Sequence, residues 1–153
     1  MIRFGPPELD GPNAPRGDSG PSGTFDFLGF THFWRRSRRG NWVVGRKTAK
    51  SRFGRALKSI NQWCRAHRHD DLRQQHAALS RKLLGHNAYY GITGNGPSLQ
   101  RFRFEVGRIW KRWLGRRSQR SHRTWEWFNQ VLARFPLPAA RVIRATRHRA
   151  ANA

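Results

Sequence analysis

Acidic residues are scarce in this chain: Asp and Glu number 8 against 31 Lys and Arg, which leaves a formal net charge of +23 on 153 residues. A field of this size repels itself when the chain is compact, and a polyanionic partner relieves it by supplying neutralising phosphates. Nucleic acid therefore leads the functional reading. The same scarcity limits catalysis. Metal-dependent polymerases and nucleases converge at least two carboxylates on Mg²⁺, and the chain offers Glu8, Asp10, Asp18, Asp26, Asp70, Asp71, Glu105 and Glu126. Asp70 and Asp71 form the one tempting pair, and a helix cap with a dipole partner accounts for both. No catalytic residue is assigned, and the chain is not expected to be an enzyme by itself.

Cysteine is nearly absent as well. Cys64 stands alone, so no internal disulfide can form and the chain reads as cytoplasmic. Without a second cysteine, His67, His69, His76 and His86 match no zinc-finger spacing and read as structural or RNA-contacting. No metal or other cofactor is expected. No apolar run approaches the roughly 20 residues of a membrane span, and "MIRFGPPELDG" has neither the basic start nor the apolar stretch of a secretion signal. The glycine-rich "GITGNGPS" lacks the lysine and strand context of a phosphate-binding loop and reads as a turn at Asn95-Gly96.

Aromatic residues are plentiful: seven Trp and ten Phe, within 37% hydrophobic residues, are enough to build a core. Residues 1–23 hold Pro6, Pro7, Pro12, Pro15 and Pro21 among five glycines, and read as a flexible segment. From Thr24, "TFDFLGF" and "NWVVGRKT" are β-prone runs that predict a hairpin over 24–50, with "RRSRRG", Arg35 to Gly40, at its tip. Four helices are then expected over 51–138. Phe53, Leu57, Ile60 and Cys64 form the stripe of the first, opposite Arg55, Lys58, Gln62 and Arg65. Asp70 caps the second, whose stripe is Leu72, His76, Leu79 and Leu83. Ser98 caps the third, with Leu99, Phe102, Val106, Ile109 and Trp113 as its stripe. Ser121 or Thr124 caps the fourth, which buries Trp125, Phe128, Leu132 and Phe135 before "PLP" stops it. A basic tail follows over 139–153. The expected fold class is mainly α: a disordered N-terminal segment, a short β-hairpin and a helical bundle.

The helical period places Arg101, Phe104, Arg108, Lys111 and Arg112 opposite the third helix's apolar stripe. An aromatic ring amid cations can stack a base while its neighbours hold phosphates. The candidate RNA-binding residues are this set, Arg55, Lys58 and Arg65 on the first helix, and Arg35, Arg36, Arg38 and Arg39 in the hairpin.

Five stretches taken in order, "TFDFLGFTHFW", "GNWVVGRKTAK", "LLGHNAYYGITGN", "RRSQR" and "WEWFNQVLARFPLP", resemble the C-terminal part of group II intron-encoded reverse transcriptases, the maturases. The likeness runs from about Thr24 to Ala151. It implies that 24–50 is the edge of a polymerase palm and 51–138 the maturase-specific thumb, which grips intron RNA and assists its splicing. The family's fingers and catalytic palm would precede Met1, so no polymerisation is expected from this chain. Asn87 stands where the family pattern has an aromatic residue. Gly45 and Gly54 replace positions often basic or helix-favouring, which implies weaker RNA affinity and thumb stability. Two other readings stay open: the thumb subunit of a split RNA-directed DNA polymerase whose catalytic half is another chain, and a general basic RNA-associated structural protein.

Overall fold

The computed structural model describes residues 23–120 and 123–142. The chain divides into two compact units, Met1–Lys50 and Ser51–Ala153, with strands in the first and helices in the second. The flexible segment expected over 1–23, apart from Gly23, lies outside the described residues, as do Ser121 and the tail beyond Val142.

The first unit holds three antiparallel strands, β1 (Phe25–Phe27), β2 (Phe30–Arg36) and β3 (Trp42–Thr48), paired in that order. The single strand expected from "TFDFLGF" is thus two. Leu28 and Gly29, at φ +50° and +84°, form a two-residue turn between the paired Phe27 and Phe30. Positive φ at both positions matches the right-handed strand twist, and Gly29 takes it without strain. Across β1 and β2, Phe25 stacks on His32 at 4.8 Å, and the Thr31 hydroxyl donates to Asp26. Gly45 has a packing reason: a Cβ there would lie 2.7 Å from the Phe33 ring of the facing strand. The expected tip also shrinks. Arg35 and Arg36 pair with Val43 and Trp42 inside the ladder, and the turn proper is Ser37 to Asn41, closed by Ser37 N–H to Asn41 O at 2.8 Å.

The second unit contains α1 (Lys50–Ala66, its first residue in the strand unit), α2 (Leu72–Tyr90), α3 (Gly96–Leu114) and α4 (Trp125–Arg134). Contacts run Phe53 to Phe102 and Asn61 to Trp113 between α1 and α3, so these two point the same way. His86 meets Phe102 and Gln75 meets Trp110, so α2 runs against α3. The result is an up-down-up bundle, with α4 laid on α3 through Phe128 against Trp110.

Several helix boundaries differ from expectation because the chain resolves its end groups locally. Asp71, not Asp70, caps α2, its carboxylate accepting the Arg73 N–H at 3.1 Å. Asn95 rather than Ser98 precedes α3, and Pro97 in the first turn needs no N–H partner there. The expected Asn95-Gly96 turn moves back to Ile92–Asn95, where Gly94 carries φ +88° and Asn95 N–H reaches Ile92 O. Thr124 caps α4 through the Trp127 N–H. The buried stripe of α3 rotates as well: Trp110 is fully buried, whereas Trp113 is half-buried and donates its indole N–H to Asn61 at 2.9 Å. Trp125 is 47% exposed instead of buried. Asn87 is buried and donates to Ala139 O at 3.3 Å, a link a phenyl ring could not make.

One buried node joins three helices. Gln75, 2% exposed, accepts the Trp110 indole N–H at 2.8 Å and donates to His67 O and Asp70 O, each at 2.9 Å. These carbonyls follow the C-terminus of α1, where backbone acceptors lack helical partners.

The core sets two expected outcomes. Trp110→Ala is expected to cost about 3–5 kcal/mol in urea denaturation followed by circular dichroism, a large share of a small domain's stability. Trp113→Ala should cost clearly less, and the reverse order would mean that the buried stripe is misassigned. The second outcome concerns pH. Burial holds the His86 imidazole, stacked 3.7 Å from Phe102, down to about 4 from its ordinary 6.5. The unfolded chain therefore takes up this proton first, so stability is full above 6.5 and declines as pH falls from 6.5 towards 4. Replacing the group by His86→Phe should flatten the urea midpoint against pH across that window; an unchanged profile would assign the acid sensitivity elsewhere.

Candidate nucleic-acid interface

The amphipathic period of α3 sets the site. Its apolar side packs against α1, α2 and α4, which turns the residues half a turn away towards water. Arg101, Arg108 and Arg112 are exposed, Lys111 is half-buried and Phe104 is 58% exposed. These five therefore share one outward side of a single helix. Arg55, Lys58 and Arg65 are exposed on α1. Two contacts tie α1 to the α3 face: Arg112 donates to Asn61 at 3.0 Å, and the Arg101 guanidinium lies 5.5 Å from the Phe53 ring centre.

The strand unit carries the other candidates. Arg38 and Arg39 project from the turn, while Arg35 and Arg36 end β2 and alternate to opposite sheet faces. Arg36 sits 4.8 Å over the Trp42 ring.

Where α3 meets α4, two concave regions share Lys111 and Arg112. One, of about 390 Å³, is lined by Lys111, Arg112, Arg116 and Arg123 with Ser118, Gln119 and Gly115, and by no carboxylate among the described residues. The other carries Trp125 and Glu105. Aromatic rings brace the cations: Lys111 lies 4.8 Å over Trp125, Arg116 5.2 Å over Trp113 and Arg123 4.5 Å over Trp127. Such contacts orient a cation without neutralising it. Glu105 does offset Arg108, at 3.3 Å.

Some arginines engage backbone carbonyls, Arg103 while still exposed to solvent. Arg103 donates to Leu137 O and Pro138 O at 3.0 Å each, which pins the segment after α4 to α3. Arg117 donates to Arg68 O at 2.6 Å and to Asp70 O, closing the same chain end that Gln75 caps. The spacing holds a signal for Arg103, which falls four residues after Leu99 on the apolar stripe itself, where an arginine reaches carbonyls or destabilises the fold. Arg117 comes three residues after Leu114, where α3 has ended, and carries no such signal. Trp125, Arg116 and Arg123 join the site without any sequence signal. Only the packing of α4 on α3 reveals them.

The histidines near Cys64 serve the scaffold. His67 Nδ1 donates to Trp63 O at 2.9 Å and stacks on that indole, and His76 Nε2 donates to Pro136 O at 2.7 Å. Burial pushes the Cys64 thiol up to about 12, against the opposing pull of Lys82 and Arg112. It is a packing group and no nucleophile.

This division of roles predicts a split in stability. Arg103→Gln and Arg117→Gln should each lower the thermal midpoint, by an amount equivalent to about 1–3 kcal/mol for the charge-assisted bonds to carbonyls that are lost. Arg101→Gln and Arg108→Gln should leave it nearly unchanged, and equal drops across the four would dissolve the distinction. The roles rest on geometry and sequence pattern alone: no protein-family model, curated protein or solved structure matches this chain.

Proposed function

We propose that the helical unit is an RNA-gripping module of the kind that follows the palm in group II intron-encoded reverse transcriptases, and that it assists intron RNA in folding and splicing in the cytoplasm. The observation that carries this reading is the outward side of α3. It sets Arg101, Arg108, Lys111 and Arg112 around the exposed ring of Phe104, with Glu105 beside Arg108. The α1 cations extend it. A rigid cationic helix face suits the phosphate ribbon of folded RNA, which proteins recognise by shape, backbone and unstacked bases. Its affinity arises from counterion release.

The chain acts here as a binder, without chemistry of its own. Among the described residues no helix is long and apolar enough to cross a membrane. The strand unit supplies Arg35, Arg36, Arg38 and Arg39 as further phosphate contacts.

The test is a salt titration of binding to a group II intron RNA. Replacing Arg101, Arg108, Lys111 and Arg112 by Gln should weaken binding and flatten the slope of log affinity against log salt by roughly 0.7–0.9 for each phosphate no longer neutralised. An unrelated structured RNA of equal length should bind less tightly to the native protein. Original affinity and slope in a folded Gln variant would contradict the reading.

A further inference from the structure

We infer that the junction of α3 and α4 is a site for one unpaired nucleotide of RNA, with its phosphates in the cationic groove and its base on the Phe104–Trp125 shelf. The inference rests on the RNA reading above and adds a specificity to it. The two rings lie parallel to within 2°, their centres 6.5 Å apart, and remain 58% and 47% exposed. Parallel exposed rings give a base one orientation in which to contact both. Beside them Lys111, Arg112, Arg116 and Arg123 line a concavity of about 390 Å³ that holds no carboxylate among the described residues. That volume falls within the range of small-ligand pockets and exceeds what a lone phosphate would fill.

The two halves are one site because Lys111 and Arg112 line both the cationic groove and the region around Trp125. Lys111 also sits 4.8 Å over the Trp125 ring. A nucleotide whose base rests on Trp125 therefore has its phosphate beside those cations. Glu105 lines the base half and can accept a hydrogen bond from a base amino group. A paired base has its faces covered by its neighbours and cannot reach the rings. Only a bulged, looped or terminal nucleotide can, as in other proteins that read splayed bases by stacking.

The experiment compares two RNA hairpins that differ by one bulged nucleotide in the stem, titrated into the full chain at fixed salt. The native protein should bind the bulged hairpin about fivefold to a hundredfold more tightly, the range of one base–aromatic stack. The Phe104→Leu/Trp125→Leu variant, checked for an unchanged melt, should bring the ratio close to one. Arg116→Gln/Arg123→Gln should weaken the bulged complex more than the paired one. The same pair built in DNA should keep the preference, because stacking and phosphate contacts ignore the 2′-hydroxyl. Equal native binding of both hairpins, a preference that survives removal of the rings, or one confined to RNA would overturn the inference while leaving the general RNA reading intact. Failure to bind either hairpin would overturn both.

Discussion

The amide of Gln75 is the constraint on which the helical unit depends. An uncapped chain end after α1 would leave carbonyls buried beside the core, and unpaired buried acceptors cost as much as broken hydrogen bonds. Gln75 answers two of them and turns its oxygen to the Trp110 indole; Arg117 adds a bond to Arg68 O. Both ends of this amide then have partners in the driest part of the bundle. The position of α2 against α3 is set by a directional bond as well as by apolar contact. The outward face of α3 is oriented by the same node, because Trp110 fixes the helix's rotation.

A chain with so few carboxylates must hold its cations by other means. It uses rings and backbone carbonyls. Arg101, Lys111, Arg116 and Arg123 lie over aromatic rings, while Arg103 and Arg117 reach carbonyl oxygens. Rings orient a cation and leave its charge available to a phosphate, so the tryptophans serve the surface as well as the core. Trp110 is fully buried, whereas Trp125 stands half in water. The scaffold and the proposed interface are thus built from one set of residue types, distinguished by whether the charge ends on a protein carbonyl or faces solvent.

Much of this is legible in the sequence, for physical reasons. The α1 stripe of Phe53, Leu57, Ile60 and Cys64 follows from periodicity and stands in the structure, and of the two hydroxyls before the last apolar run, Ser121 and Thr124, it is Thr124 that caps α4. Arg55, Lys58 and Arg65 are exposed because the period that buries one face exposes the other. The α3 stripe is ambiguous from spacing, since Trp110 and Trp113 both fit the period and only the partner helices decide between them. The β1–β2 turn is hidden by Leu28, a residue rarely found at positive φ. Trp125 is exposed against expectation because its surroundings depend on how α4 crosses α3, and local spacing carries no record of that crossing.

Central to the proposed function is a division of the arginines into carbonyl-bound and phosphate-facing sets. Arginine-selective chemical labelling of the protein, read residue by residue by mass spectrometry with and without bound intron RNA, tests it most directly. Arg101, Arg108, Arg112 and Arg116 should become protected by RNA, while Arg103 and Arg117 should label at one rate in both states. Protection absent from α3, or spread evenly over all arginines, would contradict it.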